Sequence, residues 1–497
     1  RAKMSQEILG ALTYPIILFL VSIGVIGLLM VFVVPGVVSQ FSGLNQELPL
    51  ITKIFIAISN ALSSYIFYSF LVLIGFGLVI LSRIYGLKKI KRSSDKFFLK
   101  IPIIKNFLLD ADLSRYTSSL SMLRSGGVSI INALEMDLGK SYAESYMSEI
   151  AIIYNELNYF IKNTKKWTKR KRVSSSLLNF FSSDFILPTP YGVTLNISPW
   201  NYPFQLSISP IIGAVSAGNT VVLKPSEHSP NTSEILEKII NESFESGHVD
   251  VINGGPEIGK YLLNLKWDYI FFTGSTRIGK IIAEKAAKNL TPITLELGGK
   301  SPCIVDTGVD LDKVAKRIVS GKFVNCGQTC IAPDYIVVNN HVKDELISMI
   351  KKNIISTYGN SSIKSDSYGR IINKNNLVRL KEILNKNNVE FGGKIEEEKL
   401  FIEPTLIIEP DLNSEIMNDE IFGPILPILS YENENEIQTI IEKNPSPLAF
   451  YIFSKNQKFI DKLVQNNKFG GCVVNDTLIH YVNPNLPFGG IGTSGMG

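Results

Sequence analysis

Cys330 closes the run Phe323-Val324-Asn325-Cys326-Gly327-Gln328-Thr329-Cys330, where a glycine and a glutamine lead up to the thiol. Free cysteines are most often small buried hydrophobes. Here the Gly-Gln-Thr approach predicts an irregular polar turn, from which a thiolate could act as a nucleophile. Glu296 sits inside the apolar pattern Thr294-Leu295-Glu296-Leu297, just before Gly298-Gly299-Lys300. A carboxyl buried in such a strand would have a raised pKa and could serve as a general base, although pairing with a lysine is equally open. Phe271-Phe272-Thr273-Gly274-Ser275-Thr276-Arg277-Ile278-Gly279 reads as a strand, a glycine turn and a helix start, whose amides favour a phosphate. Val221-Val222-Leu223-Lys224-Pro225-Ser226-Glu227 places a cation and a carboxylate just past another strand, where a solvated strand end is the alternative.

These residues need a scaffold. Beyond residue 185, short apolar runs alternate with amphipathic patterns, as in a doubly wound α/β sheet. Strands are expected over 193–197, 220–223, 249–252 and 269–272, with helices over 233–245 and 279–288. In open α/β sheets ligands bind at the carboxyl ends of strands, which is where the polar words fall. A length of 497 residues implies two or three domains. The four cysteines (Cys303, Cys326, Cys330 and Cys472) make no disulfide framework and no zinc spacing, so free thiols in a reducing compartment are expected, with no metal.

The words occur in a fixed order: Pro199-Trp200-Asn201-Tyr202-Pro203, Lys224-Pro225-Ser226-Glu227, Phe272-Thr273-Gly274-Ser275, Leu295-Glu296-Leu297-Gly298-Gly299, Gly327-Gln328-Thr329-Cys330, Glu420-Ile421-Phe422-Gly423-Pro424 and Pro487-Phe488-Gly489-Gly490. Together they resemble the aldehyde dehydrogenase superfamily, nearest its class 3 and fatty-aldehyde branch, which shares Gln328-Thr329-Cys330-Ile331-Ala332-Pro333-Asp334-Tyr335. The resemblance runs from about Asp137 to the last residue. It implies a cysteine nucleophile at Cys330, an oxyanion donor at Asn201 and a water-activating base at Glu296. It further implies NAD, with NADP possible. Lys224 and Glu420 would hold the two riboses, Phe422 would pack near the nicotinamide, and Thr273, Gly274, Ser275 and Gly279 would lie by the pyrophosphate turn. Glu227 beside the adenosine ribose would disfavour a 2′-phosphate. The implied reaction takes a small-molecule aldehyde to its carboxylic acid through a thiohemiacetal and a thioester. The implied domains are a cofactor domain over 135–297, a catalytic domain over 298–472 and a return segment over 473–497.

The first 134 residues have a different character, with 13 Lys and Arg against 5 Asp and Glu. Their basic residues flank apolar runs and lack interleaved aromatics, a membrane pattern rather than a nucleic-acid one. No charge interrupts residues 8–46, and a second uncharged stretch covers 54–82. Each is long enough for a transmembrane helix. Arg1 and Lys3 before the first run, and Arg83, Lys88, Lys89, Lys91 and Arg92 after the second, put both ends in the cytoplasm. The words Tyr14-Pro15, Phe32-Val33-Val34-Pro35, Glu47-Leu48-Pro49 and Leu123-Arg124-Ser125-Gly126-Gly127-Val128 resemble the inner-membrane platform protein of type II secretion and type IV pilus machines. That resemblance implies an inner-membrane hairpin ahead of the enzyme, and a platform function carrying a passenger dehydrogenase as the alternative reading. No Pro/Gly/Ser linker marks the join, so a true fusion and a chimeric gene both remain open; in the second case the enzyme is cytoplasmic. Family segments expected before residue 137 and after Gly497 are missing from the sequence, which leads to an expectation of weak activity and an uncertain homodimer.

Overall fold

The computed structural model describes residues 129–497 throughout, with Leu18, Val21, Ser22, Val25, Ser64, Tyr65, Ser69 and Leu73 as isolated positions before them. Apart from those positions, the expected membrane hairpin and platform-like words lie outside the described residues. Among the described residues no helix is long and apolar enough to cross a membrane.

Helix α1 covers residues 129–138. A single α-turn, Tyr142–Ser145, then passes through a π-turn, Tyr146–Ile150, into α2 (Ala151–Trp167). Ile130 and Leu134 of α1 are buried with Ile153 and Leu157 of α2, and with Phe204, Ile212 and Leu236 further on. The expected boundary between residues 134 and 135 therefore falls inside α1. Next come β1 (Lys171–Val173) and β2 (Asp184–Ile186), an antiparallel arm whose linking loop exposes Leu177, Leu178, Phe180 and Phe181.

The first sheet is built from β3 (Val193–Ile197), β4 (Thr220–Lys224), β5 (Val249–Val251), β6 (Tyr269–Thr273) and β7 (Ile293–Glu296), all parallel. The second sheet takes β8 (Pro302–Val305), β9 (Tyr335–Asn339) and β10 (Val389–Phe391); β11 (Ile395–Glu396) and β12 (Phe401–Ile402) form a separate ribbon. It continues with β13 (Thr405–Ile408), β14 (Ile425–Tyr431), β15 (Ala449–Phe453) and β16 (Gly471–Val474) in the order β10-β13-β14-β9-β8-β15-β16. Finally β17 (Gly495–Met496) returns to the first sheet and pairs antiparallel with β7, giving β17-β7-β6-β3-β4-β5. The α/β fold expected from the alternating pattern is thus present, and in the second sheet β8 and β15 are buried along their whole length, as strands covered on both faces are.

Helices α3 (Gln205–Ser216), α4 (Pro230–Ser243) and α5 (Pro256–Leu262) alternate with the first strands, and α6 (Thr276–Ala287) joins β6 to β7. Two helices begin three residues before their expected starts at 233 and 279, because the first turn is set by capping and not by apolar periodicity. Pro230 opens α4, and the Ser275 hydroxyl accepts from the Ile278 amide at α6. The chain moves outward from β3 through β4 to β5, then crosses back to β6 on the other side of β3. That reversal opens a crevice at the carboxyl ends of β3 and β6. The loops that leave those two strands carry Asn201 and Gly274.

Candidate active site

The thiol is presented by a turn under conformational tension. Helix α7 (Leu311–Phe323) ends in a short 3-10 turn, Val324–Gly327, where Asn325, Cys326 and Gly327 have φ of 50°, 56° and 74°. Left-handed backbone costs a residue with a Cβ roughly 1–2 kcal/mol, less for asparagine, so the surroundings must enforce it. They do so with hydrogen bonds. The Asn325 amide donates to Glu144 Oε1 at 2.8 Å, and Asn325 Nδ2 donates to the Asn201 carbonyl at 2.7 Å. The buried Gln328 side chain donates to the carbonyls of Asn325 and Arg370, and its oxygen accepts from the Ile372 amide at 3.0 Å. A Cβ on Gly327 would run into the Gly423 carbonyl. Gly327→Ala is therefore expected to cost about 3 kcal/mol, read as a lower urea midpoint of the full chain.

Cys330 follows as a partly buried residue against the second-sheet core. Burial pushes its thiol up to about 12, with the Glu420 and Glu296 charges adding to the rise, while the amides of Cys330 and Ile331 face the sulfur and oppose it. Cys326 and Cys303 are fully buried, and Cys472 lies on β16. Of the four cysteines, Cys330 is thus the one set beside both carboxyls.

Asn201 lies in the loop after β3 and is buried. Its Nδ2 donates to the Gln328 carbonyl at 3.0 Å, which commits one of two N–H bonds and fixes the amide over the Cys330 turn. The next residue, Tyr202, shares a 2.7 Å hydrogen bond with the Thr329 hydroxyl. Trp200 meets Phe422 edge-on at 5.3 Å, and Phe422 itself has φ of 48°.

Glu296 ends β7. Its Oε2 is buried without a hydrogen-bond partner, and burial raises the carboxyl to about 7. Among the described residues no lysine pairs with Glu296, and the nearby Lys300 is 2.5 Å from Asp334 instead. Glycines face the carboxyl: a Cβ on Gly497 or Gly489 would stand 3.2 or 3.4 Å from Glu296 Oε1.

Of the remaining expected residues, Lys224, Glu227, Thr273, Gly274, Ser275 and Gly279 lie on the first-sheet side, and Glu420 and Phe422 precede β14 of the second sheet. Lys224 Nζ donates to Glu227 Oε2 at 2.8 Å and to the Pro225 carbonyl at 3.0 Å. Partial burial pushes the Glu227 carboxyl up, but the hydrogen bond and charge of Lys224 prevail and leave it below its usual value. Beside the pair lies a cleft of about 360 Å³, lined by Pro225, Glu227, Glu234, Asn253 and Gly254 among others. Thr273 ends β6, Gly274 turns, and Ser275 caps α6. Gly279 lets that helix approach Leu297, since a Cβ there would fall 2.7 Å from its Cδ2. Glu420 is raised to about 8 by burial and by Asp334, against pulls from the Gly299 amide, Lys300 and Arg379. The first-sheet side thus offers a polar cleft beside Glu227 and a capped helix N-terminus after β6, groups suited to the polar and phosphate parts of a dinucleotide.

Several positioning residues escaped the sequence reading. Lys300 donates to the Ile416 and Asp419 carbonyls, and Asp334 accepts from the Ile421 amide, so the pair holds the segment bearing Glu420 and Phe422. Lys140, Glu144 and Glu149 were likewise unassigned. The available signal was a charged residue inside an otherwise apolar or glycine-rich word.

A model of the aldehyde dehydrogenase family matches residues 119–497, beginning inside the segment with platform-like words. The chain is similar to 4,4'-diaponeurosporen-aldehyde dehydrogenase of Staphylococcus aureus, 46% identical over 370 residues, which is 74% of this chain and 81% of that protein. The solved substrate-bound state of Staphylococcus aureus AldH superposes with a TM-score of 0.76 at 44% identity, covering 78% of this chain and 84% of that one. The Mycobacterium tuberculosis aldehyde dehydrogenase complexed with NAD+ gives a TM-score of 0.71 at 27% identity, covering 78% and 81%.

Proposed function

Because the chain belongs to the aldehyde dehydrogenase family, we propose that Cys330, Asn201 and Glu296 carry its chemistry. The protein is an enzyme that oxidises aldehydes with a nicotinamide cofactor. The supporting observation is one juxtaposition: an amide fixed over the Cys330 turn, and an unpaired buried carboxyl close enough to raise the thiol. In this reading the Cys330 thiol gives its proton to solvent and the thiolate adds to the aldehyde carbonyl. The second Asn201 N–H and the Cys330 amide receive the oxyanion, each such donor being worth roughly 3–4 kcal/mol. Bound NAD supplies the hydride acceptor. The thioester left on Cys330 is then attacked by water whose proton passes to Glu296, releasing the acid and the thiolate. Mass spectrometry of acid-quenched Glu296→Gln with aldehyde and NAD tests this assignment. An acyl group on the Cys330 peptide is expected; acylation elsewhere, or none, rejects it.

Lys224, Glu227, Thr273, Gly274, Ser275, Gly279, Glu420 and Phe422 would hold the cofactor, supported by the cleft that Glu227 lines and the helix that Ser275 caps. Glu227 would face the adenosine ribose and favour NAD. Removing one charge about 4 Å from a 2′-phosphate is worth about 1 kcal/mol in water. Glu227→Gln is therefore expected to lower KM for NADP about fivefold, with a smaller change for NAD, in steady-state assays.

Residues 135–297, together with the start of α1 before them, would form the cofactor domain, 298–472 the catalytic domain and 473–497 the return. Residues 1–134 would anchor the enzyme to the inner membrane as a hairpin resembling the secretion platform, a reading supported by their two uncharged runs. A homodimer is supported by the exposed apolar loop between β1 and β2. Alkaline extraction of membranes and sedimentation of the detergent-solubilised full chain test both. Release without detergent rejects the anchor, and a monomer mass rejects the dimer.

A further inference from the structure

The word Asp137-Leu138-Gly139-Lys140 and the following π-turn have no part in the chemistry above, yet they place two buried opposite charges under the site. Lys140 is 1% exposed and Glu149 is fully buried. Lys140 Nζ is 2.5 Å from Glu149 Oε1, donates to the Asn201 carbonyl at 2.9 Å, and lies 4.1 Å from the centre of the Tyr202 ring. Glu149 Oε2 accepts from the amides of Phe204 and Gln205 at 2.8 and 3.1 Å, where α3 begins. The Asn201 carbonyl also accepts from Asn325 Nδ2, and the Asn325 amide is held by Glu144 from the same segment. One stretch of fewer than a dozen residues therefore grips both the oxyanion loop and the nucleophile turn.

A buried ion pair is a poor source of stability, because desolvation offsets its attraction. Its value lies in geometry, since every partner is fixed by a directed bond. We propose that Lys140, held by Glu149, is a positioning residue of the oxidation that aims the Asn201 amide at the carbonyl bound to Cys330. The proposal rests on the reading of Asn201 as oxyanion donor. Lys140 touches neither substrate nor cofactor in this role. It acts through the Asn201 peptide, and a displacement of about 1 Å at such a site can cost roughly 100-fold in rate.

The test is a double-mutant cycle on the full chain. Lys140→Met with Glu149→Gln removes both charges while leaving an acceptor for the two amides. We expect kcat to fall ten- to hundredfold with KM for NAD within twofold of the parent. In an Asn201→Ala background the same pair should cost less than twofold more, because the group it aims is gone. Lys140→Arg, which can reach both partners, should stay within fivefold of the parent. A folded neutral pair with unchanged kcat overturns the proposal, as does a loss that multiplies with Asn201→Ala, the pattern of a merely structural role. Should the neutral pair not fold, Glu149→Gln alone decides. A fivefold kcat loss that vanishes in the Asn201→Ala background supports the proposal, and an unchanged kcat overturns it. If Asn201→Ala itself leaves kcat intact, the oxyanion reading fails and takes this proposal with it. A large loss in Asn201→Ala beside a silent neutral pair removes only the positioning role.

Discussion

Alanine at Cys330 is expected to lower kcat for aldehyde oxidation by at least about 10⁴-fold, the scale on which loss of a nucleophile acts when a covalent intermediate is obligatory. The other cysteines cannot substitute. Cys303 and Cys326 are fully buried. Cys472 lies on β16, not on the turn over which the Asn201 amide is held. Cofactor binding should survive, since Lys224, Ser275 and the cleft beside Glu227 lie on the first sheet and its helices, away from the thiol turn. NAD titration by intrinsic fluorescence, alongside stopped-flow NADH formation, separates the two properties. Appreciable turnover by a folded Cys330→Ala chain would remove the covalent mechanism altogether.

Glu296→Gln should divide the reaction in time. Acylation of Cys330 does not need the Glu296 base in this reading, so one equivalent of NADH per site should appear in a burst. Hydrolysis of the thioester should then be slowed by roughly 10²–10⁴-fold, the range of a positioned general base. The pH dependence has a definite sign. A carboxyl near 7 is mostly protonated at pH 6 and mostly ionised at pH 8, and only the ionised form accepts a proton from water. The parent's steady-state rate should therefore rise through pH 7, and that limb should be missing from the glutamine variant. Slow turnover without a burst would place Glu296 ahead of the hydride step and reject the assigned role.

Much of this arrangement was legible in the sequence. Short β-branched and aromatic runs bounded by glycine and polar turn residues mark strands, so β3 and β6 were found with little error. Cys330 and Glu296 stood out because glycines and polar residues interrupt those words where the backbone must turn. Lys140 and Glu149 were not legible as a pair. They are nine residues apart across a π-turn, where no helical or strand periodicity links them. Lys300 and Asp334 meet across two strands of the second sheet, a proximity set by β8–β9 register that no local pattern encodes. The membrane reading of residues 1–134 rests on hydropathy and on nothing in the described fold.

The pairing of β17 with β7 carries a consequence for how the enzyme comes into being. Gly495 sits opposite Glu296, and Gly497 and Gly489 stand against its carboxyl. Part of the packing around this acid is thus synthesised some 200 residues after it, about 10–40 s later at ordinary elongation rates. Until that ribbon docks, one edge of β7 is unpaired and the Glu296 carboxyl lacks these neighbours. A nascent chain can already have folded its nucleotide-binding strands before these neighbours of its base exist, so hydrolytic competence follows the folding of the cofactor sheet.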